Sequence, residues 1–240
     1  MKLLNGDCLE ILPSIESKSV DLVFCDLPYG QIGAKWDIPI ALDKLWVELK
    51  RVLKNDHCPV IFTCTTKFGF KLIESNEKWF RYDLVFNKST TTGHLTSGKL
   101  PMRKHEMVYI FCKKGTNYYF KDTHKRVEGE LITKETNCET YTTTKTIRVK
   151  GATNFWDPPC PTTVIDSTWS GDGKRTNSTQ KPQDLLKWIL KYYTREGDTV
   201  LDPTMGSGSL GKACKEMKRD FIGIELREDQ YKKAVEYIGN

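Results

Sequence analysis

Short apolar runs alternate with stretches whose apolar residues recur at helical spacing, a pattern that predicts βα units around a largely parallel sheet. Lys2–Asn5 reads as a short strand closing on Gly6-Asp7. Val20-Asp21-Leu22-Val23-Phe24-Cys25 reads as a buried strand that stops at Asp26-Leu27-Pro28-Tyr29-Gly30. Leu42, Leu45, Trp46, Leu49, Val52 and Leu53 then follow the spacing of an amphipathic helix, with Pro39 suited to its first turn. Pro59–Cys64, Tyr82–Phe86 and Met107–Cys112 are further strands by the same reading.

From about Lys113 to Thr179 the alternation lapses into a segment rich in Thr, Lys, Gly and Pro, with only short, weakly alternating pieces such as Thr144–Val149. It then resumes. Pro182–Tyr193 is a helix with Leu185, Leu186, Ile189 and Leu190 on its apolar side, followed by strand Asp198–Leu201 and helix Ser209–Met217. Strand Phe221–Ile224 and helix Asp229–Ile238 close the pattern. The expected fold is α/β: a mostly parallel sheet with helices on both faces, built from residues 1–112 and 179–240 and interrupted by an irregular insertion over 113–178. An insertion that long in a compact domain is usually functional or disordered.

With 240 residues, 38% hydrophobic and 28% charged, the chain can build one substantial core, and wholesale disorder is excluded. No window approaches the ~18 apolar residues of a membrane span. Met1-Lys2-Leu3-Leu4-Asn5-Gly6-Asp7 turns polar too soon for a signal peptide, so a soluble cytoplasmic protein is expected. The eight cysteines contain no C-x-x-C pair and no neighbouring histidine cluster, and several sit in apolar runs. They are expected to be structural thiols in a reducing compartment, with no metal site.

The net charge of +6 is modest, but residues 99–150 hold 12 basic and 6 acidic residues and therefore the whole surplus. A local basic excess points to a polyanionic partner, with a solvated lysine-rich surface as the alternative.

Two constellations carry candidate chemistry. In Leu201-Asp202-Pro203-Thr204-Met205-Gly206-Ser207-Gly208-Ser209 a strand enters a glycine-containing loop that opens a helix, and the next strand ends at Glu225, 23 residues after Asp202. Glycines let a ligand approach the backbone at a strand's carboxyl end, and an acid about 20 residues on suits ribose hydroxyls. The third glycine of a dinucleotide loop and the Gly-Lys-Ser/Thr of a P-loop are missing, so a nucleoside-containing cofactor is expected rather than a pyrophosphate or triphosphate. The second constellation is Asp26-Leu27-Pro28-Tyr29. An ionised Asp offers only acceptors, which suits an amino group, and Tyr29 offers a ring on which a base can stack. A simple turn after a core strand is the alternative.

Asp26-Leu27-Pro28-Tyr29 resembles the Asp/Asn/Ser-Pro-Pro-Tyr motif of amino-group DNA methyltransferases, and Asp202-Pro203-Thr204-Met205-Gly206-Ser207-Gly208 resembles their S-adenosylmethionine loop. Asn5-Gly6-Asp7-Cys8 and Thr179-Gln180-Lys181-Pro182 complete an order similar to the beta group of N6-adenine and N4-cytosine enzymes. The resemblance covers roughly residues 1–112 and 179–240 and implies a Rossmann-like S-adenosylmethionine-dependent methyltransferase fold, with 113–178 as target-recognition insertion. By position, Glu225 would hold the cofactor ribose, Asp7 and Cys8 its adenine, and Gly206 and Gly208 its methionine portion, with Asp26 and Asp202 also cofactor-binding and Lys181 and Pro182 closing the pocket at the amino-acid end. Asp7 as a helix N-cap and Lys181 as a solvated lysine are the plainer alternatives.

The chemistry implied is methyl transfer from S-adenosylmethionine to the N6 amine of a flipped adenine, with Asp26 and the Leu27 and Pro28 carbonyls as acceptors and Tyr29 stacking on the base. Cytosine N4 is the near alternative, and a non-catalytic nucleic-acid-binding module retaining the fold the distant one. Double-stranded DNA is the expected partner, contacted by Lys99, Arg103, Lys104, Lys121, Lys125, Arg126, Lys145, Arg148 and Lys150. A cognate restriction nuclease and a homodimer are further partners that the resemblance brings into view.

Overall fold

A computed structural model describes residues 1–30, 37–115, 117–132, 148–167 and 180–239. Its strands and α-helices run β1 Lys2–Asn5, α1 Cys8–Ile11, β2 Leu22–Cys25, α2 Leu42–Val52, β3 Val60–Cys64, α3 Thr66–Ser75, β4 Phe80–Thr92, β5 Arg103–Phe111, β6 Lys125–Ile132, β7 Arg148–Asp157, β8 Val164–Asp166, α4 Gln183–Tyr193, β9 Thr199–Asp202, α5 Ser209–Glu216, β10 Asp220–Glu225 and α6 Glu228–Gly239. Two compact units result: Met1–Phe120 with Thr163–Asn240, and Lys121–Thr162.

The first unit holds an eight-stranded sheet in the order β1-β10-β9-β2-β3-β5-β4-β8. Every neighbouring pair is parallel except the two made by β5, which runs antiparallel between β3 and β4. Period-two alternation sorts the strand residues onto two faces. Val23, Cys25, Val60, Phe62, Leu201 and Ile224 join a core with residues of α1, α2 and α3. Leu22, Phe24, Ile61, Val108, Ile110 and Val200 join a second core with α4, α5 and α6. The expected mostly parallel sheet with helices on both faces is thereby present.

Several boundaries differ from the sequence reading. Pro39 lies outside α2, whose N-cap is Ala41, because the chain is still extended there. β4 and β5 run past the apolar runs that signalled them, since paired polar residues extend the ladder to Thr92 and Arg103. The helix α3 carries no strong sequence mark beyond its Thr65 cap, whose hydroxyl accepts from the Phe68 amide.

The segment set apart as 113–178 is divided by the structure, because residues 113–120 and 163–167 pack in the first unit. The second unit is not irregular throughout. In it β6 and β7 form an antiparallel pair, with Lys125 opposite Asp157 and Ile132 opposite Arg148. Strands such as Lys125-Arg126-Val127-Glu128-Gly129-Glu130 lack apolar alternation, so hydrophobic periodicity gives them no signal.

Candidate active site

The carboxyl ends of β1, β10, β9, β2 and β3 lie along one edge, as the parallel register requires: Asn5 pairs with Glu225, Gly223 with Asp202, Val23 with Leu201 and Cys25 with Phe62. Asp26, the residue after β2, therefore emerges at the middle of that edge. Counting by twos from Leu22 and Phe24 puts Asp26 on the α4–α6 face, and the same parity puts Thr63, Glu106 and Lys88 there with Ile61, Val108 and Phe86.

These residues form one network. Asp26 Oδ1 accepts from the Thr63 hydroxyl at 2.6 Å and the Tyr29 hydroxyl at 2.9 Å, and lies 3.0 Å from Lys181 Nζ. Lys181 Nζ also lies 2.8 Å from Glu106 Oε2, while Lys88 Nζ lies 3.4 Å from Glu106 Oε1. Every contact on the Asp26 carboxylate falls on Oδ1, so Oδ2 has no partner among the described residues. Burial opposes charge on Lys181, but Asp26 and Glu106 outweigh it and raise the ammonium above the ordinary lysine range. Burial likewise opposes charge on Glu106, yet Lys181 and Lys88 pull its carboxyl below the usual carboxylate range.

Tyr29 is anchored at both ends. Its hydroxyl donates to Asp26 and to the Thr63 carbonyl, and its ring centroid lies 5.1 Å from that of Phe68. Burial pushes its hydroxyl well above the ordinary tyrosine range, with Asp26 adding to the shift. It is a fixed neutral ring wall. Across the loop, Thr204 Oγ1 donates to the Asp26 carbonyl at 3.2 Å, tying the β9 loop to the β2 loop.

The second half of the edge centres on Glu225. Its Oε2 accepts from the Gly206 amide at 3.0 Å and its Oε1 from the Arg227 amide at 2.9 Å. Burial raises its carboxyl above the usual range, against the pull of those amides. Asp202 is buried, accepts from the Thr204 amide at 3.0 Å, and is pushed well above the usual range by burial, with the charges of Asp26 and Glu225 adding. The two loop glycines differ. Gly206 has φ +52°, and a side chain there would face open space, with only the Thr204 carbonyl at 4.0 Å. At Gly208 a Cβ would stand 2.8 Å from Ile238 Cδ1, so that glycine admits α6 against the loop. An oriented acceptor pair on Glu225 beside open backbone at Gly206 fits a ribose with two hydroxyl donors.

The remaining sequence candidates are placed as follows. Asp7 caps α1, its Oδ1 accepting from the Leu9 amide at 2.7 Å, and Cys8 is buried with its thiol pushed up to about 12 by burial. The pair sits beside Glu225 because the Gly6 amide donates to the Glu225 carbonyl at 3.0 Å. Pro182 is the N-cap of α4, which delivers Lys181 to Asp26 rather than out to solvent. Leu27 is buried and Pro28 half-buried. Lys99, Arg103 and Lys104 are exposed around the β4–β5 turn. In the second unit, Lys121 Nζ stands 4.3 Å and the Arg126 guanidinium 5.3 Å from the Trp156 ring centroid, and Lys125 is exposed. Arg148 and Lys150 lie in β7, with side chains outside the described residues, as are Lys145 and Thr179 altogether. Sequence reasoning missed Thr63, Lys88, Glu106 and Thr204. Strand parity was the signal available for Thr63, Lys88 and Glu106.

Residues 20–236 match the N6/N4 family model described as DNA methylase. The chain is 26% identical over 256 residues to the type II methyltransferase M.HinfI of Haemophilus influenzae, covering 95% of this chain but 65% of that protein. It is 30% identical over 252 residues to the DNA adenine methyltransferase YhdJ of Escherichia coli (strain K12), covering 96% and 80%. Among solved structures, the M1.HpyAVI–SAM complex aligns with TM-score 0.63 at 19% identity, over 99% of this chain and 98% of that one. The cytosine-N4-specific PvuII DNA methyltransferase aligns with TM-score 0.68 at 13% identity, over 97% and 84%.

Proposed function

Because the chain belongs to the N6/N4 DNA methylase family, we propose that it moves a methyl group from S-adenosylmethionine to the exocyclic N6 amine of an adenine flipped out of duplex DNA. The observation that carries this reading is the one-sided saturation of Asp26. Three donors hold Oδ1, so the carboxylate is fixed in place and Oδ2 is left to accept from a substrate donor.

An exocyclic amine is a poor nucleophile because its lone pair is delocalised into the ring. Asp26 Oδ2 accepts one N–H and the Leu27 carbonyl the other, drawing the nitrogen toward tetrahedral geometry. Pro28 lacks an N–H and offers no competing donor. Tyr29, pinned to Asp26 and Phe68, presents its ring to the base. S-adenosylmethionine, when bound, supplies an electrophilic methyl on a sulfonium. Glu225 and the backbone at Gly206 would hold the ribose of that group, Asp7 and Cys8 would border its adenine, and Asp202 would line the space between. The nitrogen would take the methyl as its bond to sulfur breaks and the sulfur keeps the bonding pair, and the proton the nitrogen then sheds would pass to Asp26 Oδ2. Preorganised acceptors aimed at developing positive charge lower the barrier as an oxyanion hole does for negative charge.

Cytosine N4 is the second reading, favoured by the fold likeness to the PvuII enzyme, whereas the relative named for adenine favours N6. The basic residues Lys99, Arg103, Lys104, Lys121, Lys125 and Arg126 suit a DNA duplex. A role beside a restriction nuclease, a cytoplasmic location and a homodimer belong to the same reading. Incubation with methyl-labelled S-adenosylmethionine and mixed genomic DNA, followed by hydrolysis to nucleosides, tests it. Label is expected in N6-methyladenine. Label in N4-methylcytosine selects the second reading, and no label in DNA leaves a binding module.

A further inference from the structure

We propose that the turn joining β4 to β5, residues 93–102, enters the duplex beside the target base, and that Leu95 fills the space the flipped base vacates. This rests on the methyltransferase reading above and adds a partner-facing surface to it.

The reach follows from the register. Met107 of β5 pairs with Cys64, the last residue of β3, at the edge where Asp26 stands. Because β5 is antiparallel, everything before Met107 projects beyond that edge. The last pair of the hairpin, Thr92 with Arg103, lies four residues further on. At ~3.3 Å per residue that is about 13 Å, more than the ~8.5 Å depth of a major groove. A base held at Asp26 leaves the turn level with the interior of the helix it came from.

The turn is built, not slack. The Thr96 amide donates to the Gly93 carbonyl at 3.1 Å, the Ser97 amide to the His94 carbonyl at 3.2 Å, and the Leu100 amide to the Thr96 carbonyl at 3.0 Å. The Ser97 hydroxyl adds a bond to the His94 carbonyl at 2.8 Å. On this frame Leu95 is 103% exposed, with Leu100 and Met102 also exposed. A single exposed leucine is ordinary; three large apolar side chains on one projecting turn form a surface.

Charge selects the occupant. From Asn87 to His105 the sequence contains Lys88, Lys99, Arg103 and Lys104 and no Asp or Glu. Lys88 is engaged with Glu106, while Lys99, Arg103 and Lys104 are exposed around the apolar tip. An apolar point ringed by cations suits a polyanion with a stacked apolar interior, and apolar side chains that enter base steps hold such stacks open.

The test uses the full chain. Sequencing that detects modified bases first locates the methylated site, and two synthetic duplexes are then compared. In one the target base is paired; in the other it faces an abasic site, where extrusion costs little. Leu95→Ala should lower kcat/KM about tenfold or more on the paired duplex and leave the abasic-opposed duplex close to wild type. Leu95→Met should retain most activity on both, and calorimetry should show unchanged S-adenosylmethionine affinity. Equal loss on both duplexes, or no loss on either, overturns the proposal. A change in oligomeric state on sedimentation overturns it in favour of a second copy as occupant. Failure of the wild type to methylate any DNA sinks the methyltransferase reading itself, and the wedge with it.

Discussion

The ammonium of Lys181 lies 3.0 Å from Oδ1 of Asp26, joining the residue before the N-cap of α4 to the residue that follows β2. Glu106 holds the far side of the same ammonium at 2.8 Å. One buried cation thus bridges the two carboxylates and holds the proposed amine acceptor in place.

Asp26→Ala should abolish methyl transfer, and Asp26→Asn should reduce it by about a hundredfold or more, because the amide restores an acceptor without its charge. S-adenosylmethionine affinity, measured by calorimetry, should stay near wild type in both. Retained turnover in Asp26→Ala would remove Asp26 from the chemistry.

Lys181→Met should destabilise the protein by about 3–5 kcal/mol, since it leaves two carboxylates facing one another without their shared cation. The shift should appear in the denaturant midpoint. Adding Glu106→Gln should recover part of the loss, and strict additivity of the two changes would show that Lys181 and Glu106 are not coupled.

Acid should loosen this network in a definite window. Glu106 is held below the usual carboxylate range in the folded chain, so its contribution is present above the unfolded value of ~4.3 and disappears as pH falls through the folded one. Stability measured from pH 6 down to pH 3 should fall more steeply in wild type than in Glu106→Gln. Parallel curves would show that Glu106 gains nothing from its lysines.

Glu225→Ala should weaken S-adenosylmethionine binding by about tenfold or more through loss of charged acceptors for two ribose hydroxyls. Tyr29→Ala should cost ~1–3 kcal/mol in capture of the flipped base, whereas Tyr29→Phe keeps the ring and loses only the hydroxyl contacts to Asp26 and the Thr63 carbonyl. Titration calorimetry and substrate-dependence of the rate separate the two sites.

Most of the α/β frame was legible because buried parallel strands and amphipathic helices write their period into the sequence, as Leu22–Cys25 and Gln183–Tyr193 do. The β6–β7 pair was not, since strands without an apolar face carry no period. At the candidate site, Asp26 and Glu225 stood out in the sequence because each ends a hydrophobic strand. Glu106 was passed over as one charge in the polar stretch Arg103-Lys104-His105-Glu106, and its meaning depends on a neighbour, Lys181, 75 residues away. Lys181 itself was assigned by resemblance to the cofactor side, and only the packing of α4 reveals the carboxylates it bridges.

β1 bonds to the sheet through β10, and the Asn5 side chain reaches the Glu225 carbonyl across 220 residues of chain. During synthesis β1 must therefore wait for its partner β10 until the 220 residues that separate Asn5 from Glu225 have left the ribosome. A growing chain carries Asp26 and Tyr29 early, but it has neither Lys181 to hold the Asp26 carboxylate nor Glu225 to complete the edge beside it. At about 5–20 residues per second that delay lasts on the order of ten seconds or more, in which the site along this edge of the sheet is incomplete.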